Sequence, residues 1–146
     1  MRANRERGEH GTENAGSCSA HSGGPVIHFV IPIHTTTKDN ERGHWAKRHT
    51  RNKKEREATR IAWVGVGSPS PKPPCAITLI RVASRPLDSQ NMGSAMKAVI
   101  DELAHCFGWP SDRVEGVDWL PAQQKSPKKA RSTSWVEVKI REYPFA

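Results

Sequence analysis

Cysteine is scarce in this 146-residue chain and poorly spaced: Cys18, Cys75 and Cys106 form an odd set with no Cys-x-x-Cys pair and no matching histidine pattern. Such a set argues against a disulfide framework and against a zinc module, and it fits a reducing cytoplasm. Long apolar runs are also missing. No segment approaches the roughly 20 residues of a membrane span, and the first residues lack the apolar region of a signal peptide. The expectation is a cytoplasmic protein with no membrane partner. Residues 1–24 contain no Leu, Ile, Val, Phe, Trp or Tyr. A stretch of Gly, Ser, Asn, Arg, Glu and His cannot repay the entropy of ordering, so a disordered tail is expected there. No internal repeat is present.

Negative charge is the next shortage. The chain has 23 Lys and Arg against 15 Asp and Glu, a net charge of +8. In the tail Arg2, Arg5 and Arg7 cancel Glu6, Glu9 and Glu13, so the whole surplus belongs to residues 25–146, read as one domain. A field of that sign suits a polyanionic partner through counterion release at phosphates. The plainer alternative is a basic protein with no such partner.

In VIHFVIPIH (26–34), Ile27, Phe29, Ile31 and Ile33 share one parity, which predicts a strand with one buried face. Pro32 places it at a sheet edge or marks its end. Residues 44–63 have no Pro or Gly and are rich in Lys, Arg, Glu and Ala, a helix-compatible composition. Two Gly and four Pro break the chain over 65–74. AITLIRV (76–82) predicts a second strand. A helix is then expected over 91–107, with Met92, Met96, Val99, Leu103 and Phe107 on its core face, Asn91 as its cap and Gly108 beyond its end. A short strand at 117–122, a basic loop at 125–133 and the alternating WVEVKI (135–140) complete the pattern. The order β-α-β-α-β-β predicts a small α+β domain, its helices packed on a mixed sheet.

The stretch RPLDSQNMGSAMKAVIDELAHCFG (85–108) carries the candidate chemistry. Asp88 precedes the helix, and Lys97, Asp101 and His105 follow at i+4 steps on a face distinct from the apolar one. Asp112 lies in the next loop, with Glu115 and Asp118 near it. Two carboxylates converging at one end of the helix could hold Mg²⁺, which takes one or two carboxylates and keeps several waters. The alternative is ordinary: an Asp before a helix often only caps it, and loop acids are usually solvated. Basic residues flank this acidic centre. Lys47, Arg48, Arg51, Lys53, Lys54, Arg56 and Arg60 belong to the first helix; Lys125, Lys128, Lys129 and Arg131 form a second cluster. Two such clusters suit a protein that grips a nucleic-acid backbone, unless they are merely solvated faces.

LDSQNMGSAMKAVIDELAHCFG resembles the signature of RusA-type Holliday-junction resolvases, common in phages and prophages. In that family an Asp-x-Asp-Asn element opens a helix bearing a Lys and then an Asp, and another Asp follows in the next loop. Asp88, Asn91, Lys97, Asp101 and Asp112 match in order. Trp119, Gln123 and Lys125 resemble the strand of phage members, and the upstream segment containing Asn40, His44 and Trp45 before a basic helix is also similar. The resemblance spans about 26–140.

The resemblance implies a Mg²⁺-dependent endonuclease, with Mn²⁺ able to substitute, that resolves four-way DNA junctions as a homodimer in recombination and repair. It makes Asp88 and Asp112 metal ligands and Lys97 the charge stabiliser. Asp101 and Asn91 would support the site. Asn40, His44, Lys47, Arg48, Arg51, Lys53, Lys54, Lys125, Lys128, Lys129 and Arg131 would bind DNA. One position departs: Gln90 stands where the family has its second Asp, and an amide oxygen ligates Mg²⁺ without bringing charge. Two alternatives follow, a weakened or inactive junction-binding protein of the same fold and a domain binding single-stranded nucleic acid by Trp stacking.

Overall fold

Alternating apolar residues build three of the four strands, and one row of the sheet breaks the alternation. The computed structural model describes residues 26–35, 45–127 and 134–143. The expected tail, Asn40, His44, Lys128, Lys129 and Arg131 lie outside them. The order is β1 (Ile27–Ile31), α1 (Trp45–Gly65), β2 (Cys75–Ala83), α2 (Ser89–Cys106), β3 (Val117–Lys125) and β4 (Trp135–Glu142). This is the expected small α+β domain with a mixed sheet. No helix of the described residues is long and apolar enough to cross a membrane.

The sheet runs β1-β4-β2-β3. β4 is antiparallel to both its neighbours, whereas β2 and β3 are parallel, joined through α2 as a crossover unit. Proline marks both edges. Pro32 follows the last residue of β1, and Pro121 lies within β3, which among the described residues pairs only with β2. Along the helix-covered face the cross-strand rows are Ile27–Ile140–Ile77–Trp119, then Phe29–Val138–Leu79–Pro121, then Ile31–Val136–Arg81–Gln123. Two rows are thus almost wholly apolar. The third turns polar where β2 and β3 reach their carboxyl ends.

α2 closes the core. Met92, Met96, Val99, Leu103 and Phe107 pack with Ile31, Ile77, Leu79 and the inward residues of β4, each buried side chain contributing about 1.5–3 kcal/mol. α1 is different: its fully buried residues are Glu55 and Thr59, and Ala58, Ala62 and Trp63 are only partly covered. The helix composition that predicted α1 also explains why it lies on α2 as a largely exposed, basic element.

The helix start differs from expectation. α2 begins at Ser89 and its cap is Asp88, not Asn91. Asp88 has extended backbone geometry (φ −70°, ψ 163°), and its carboxylate accepts from Asn91 N at 2.9 Å. Asn91 therefore sits in the first turn as the donor. An Asp in extended backbone directly before Ser-Gln-Asn can satisfy a free helix N–H from outside the helix, which Asn91 cannot do from within it.

Candidate active site

α2 carries the candidate residues along its exposed face, and the loop after it folds back to meet them. Lys97 Nζ lies 2.8 Å from Asp101 Oδ1, one turn on, and 2.8 Å from Asp112 Oδ2 in the loop. Arg56 of α1 approaches Asp101 Oδ2 at 3.7 Å. Two cations and two carboxylates from three segments thus form one charge-balanced chain. Hydrogen bonds from Asp101 and Asp112 raise the Lys97 pKa above the usual lysine value. The bond from Lys97 holds Asp112 below the usual carboxylate value.

Aromatic packing places the loop. Trp109 meets Phe107 edge-on at 5.0 Å and Trp119 at 6.2 Å, and Trp119 Nε1 donates to the Asp112 carbonyl at 2.8 Å. Trp109 and Trp119 thus serve as packing residues that position the loop. Trp63 likewise donates to Pro69 O, whereas Trp45 is highly exposed.

Asp88 stands apart from this chain of charges. The helix rises about 13 Å between Asp88 and Lys97, and Asp112 engages α2 near its middle rather than at its start. Gln123 of β3 fixes the connector that presents Asp88: its amide donates to Leu87 O at 2.6 Å and accepts from Leu87 N at 2.9 Å. Gln90, Glu115 and Asp118 are exposed. Among the described residues no group of three or more His, Cys, Asp and Glu is gathered as a metal cage. The carboxylates of Asp88 and Asp112 each use one oxygen in the bonds described, so each retains one for a cation. Hard oxygen donors of this kind fit Mg²⁺, which needs few protein ligands.

A groove of about 790 Å³ runs between α1 and α2, lined by His49, Asn52, Lys53, Arg56, Arg60 and His105 among others. Lys47, Arg51 and Lys54 line a second groove on α1, and Arg48 is exposed nearby on the same helix. At the groove's floor the buried Glu102 accepts from Arg60 Nε at 2.9 Å, a pairing of helices that no single-helix pattern reveals. Lys125 closes β3 at the sheet's far edge.

No protein-family model matches the chain, and no curated protein matches it.

Proposed function

We propose that the protein is a divalent-metal-dependent, structure-selective DNA endonuclease of the RusA type, cutting four-way junctions as a homodimer during recombination and repair in the cytoplasm. The observation that carries this reading is Lys97 held between Asp101 and Asp112, beside a basic helix.

Asp88, with the Gln90 amide oxygen, would hold Mg²⁺ or Mn²⁺ at the start of α2, and the bound cation would supply charge that activates water and neutralises a phosphate. Asp112, ion-paired with Lys97 further along the helix, would position that ammonium instead of sharing the ion. Lys97 places an ammonium beside the phosphate, where charge grows as the phosphorus–oxygen bond breaks. Asp101 orients Lys97, and Arg56 restrains Asp101. The α1 grooves and Lys125 contact the backbone of the junction arms. Two copies related by a twofold axis suit paired nicks in opposing strands.

The purified protein is expected to nick a synthetic four-way junction in Mg²⁺ or Mn²⁺. Tight junction binding without nicking at any metal concentration overturns the enzymatic reading. A second reading, a junction-binding protein with a weakened site, is favoured by Gln90 standing in the first turn of α2. It predicts that Gln90→Asp creates or greatly raises nicking, whereas a fully active site changes little. Preference for single strands over junctions in competition supports the third reading, binding by Trp stacking.

A further inference from the structure

Arg81 occupies a core-facing position of β2, level with Ile31 and Val136, and is only 4% exposed. Its Nε donates to Thr35 O at 3.0 Å and its Nη1 to Arg85 O at 2.8 Å. Both acceptors are backbone carbonyls. Among the described residues no carboxylate forms an ion pair with it. Burial alone lowers its pKa from the usual arginine value, yet a guanidinium keeps its proton in proteins. A buried, uncompensated positive charge is costly.

The surroundings repeat the deficit. Arg81 lines a pocket of about 270 Å³ with Ala83, Ser84, Pro86, Gln123 and Lys125. The Thr35 and Ser126 hydroxyls, on residues 1% and 6% exposed, lack hydrogen-bond partners among the described residues. Both residues adjoin this place: Thr35 accepts from Arg81, and Ser126 N donates to Ala83 O. One buried cation and two buried hydroxyls without partners among the described residues thus lie beside the exposed Lys125, donors that an oxyanion could satisfy together.

We infer that this pocket, at the carboxyl ends of β2 and β3, binds a phosphate oxyanion between Arg81 and Lys125. In a nucleic acid the anion is a phosphodiester on the strand approaching Asp88, because the connector 83–88 both walls the pocket and presents that residue. The nucleic-acid assignment rests on the function proposed above; the anion site does not. A guanidinium whose only task is to tie down Thr35 and Arg85 would leave the protein indifferent to phosphate.

The test is a titration of the full chain with inorganic phosphate at constant ionic strength, following thermal stability and the Arg81 Nε–H resonance. Phosphate is expected to raise Tm and shift that resonance, with chloride doing neither. Arg81→Met risks misfolding, so the decisive variant is Ser84→Glu, an exposed rim position where a carboxylate supplies the missing charge. It should fold and bind phosphate at least about tenfold more weakly, with Lys125→Gln acting in the same direction. An unmoved resonance, or equal phosphate affinity in wild type and Ser84→Glu, overturns the site. A DNA duplex that shifts the resonance and competes with phosphate identifies the phosphodiester as the source. A duplex that leaves it unmoved, where phosphate shifts it, keeps the anion site and removes the nucleic-acid assignment. Absence of junction nicking in the wild type bears on the proposed function alone.

Discussion

Asp88 caps α2 and, under the proposed function, also holds the cation, and its variants separate the two roles. Asp88→Ala removes the helix cap and should cost about 1 kcal/mol in denaturant unfolding. Asp88→Asn keeps a capping oxygen and should preserve stability within about 0.5 kcal/mol. Both should abolish junction nicking; retained nicking in Asp88→Asn reduces the residue to a cap. The Lys97–Asp112 pair has a pH signature. The Asp112 value is lowered, so its contribution is present above the ordinary carboxylate value of about 3.9 and is lost as pH falls through the lowered one. The Lys97 value is raised, so its share is present below about 10.4 and lost as pH rises through the raised value. In Lys97→Met the Asp112 titration, followed by carbon NMR, should move up toward the ordinary value. An unchanged titration breaks the proposed link.

At the scale of elements, α2 is the piece whose loss is most costly. Leu103 is fully buried against the sheet, and Leu103→Ala should destabilise the protein by about 2–5 kcal/mol, measured by chemical denaturation. Cys106 near the end of α2 is pushed up to about 11 by burial first and by the Glu102 charge second. Its alkylation by iodoacetamide should therefore be slow at pH 8 and accelerate toward pH 11. Much of this element was legible in the sequence, because Met92, Met96, Val99, Leu103 and Phe107 recur at helical spacing and Lys97–Asp101 is an i,i+4 pair. The sequence suggested only that Asp112 converges with Asp88 at one end of the helix; its meeting with Lys97 was not legible, since it depends on a loop path set by Trp109 and Trp119. Arg81 gave no signal. Within AITLIRV it reads as an ordinary strand residue, and only the pairing of three strands places it on the inward side.

At the scale of the molecule, the charge surplus supports a salt test. Junction binding should weaken with salt, log Kd rising linearly with log salt at a slope near +0.9 per neutralised phosphate. Lys53→Gln or Lys54→Gln should reduce that slope by about one each; a slope near zero removes the polyanion reading. The element order was legible from alternation and breakers. The strand order was not, because nothing in WVEVKI marks it for the interior of the sheet rather than its edge. That position has a consequence for biosynthesis. β4, the last strand of the described residues, lies between β1 and β2. On the ribosome β1 therefore emerges first and must wait, without a pairing partner, until residues beyond position 140 have left the exit tunnel. The β2-α2-β3 crossover can assemble before then, but the sheet closes only once β4 has emerged.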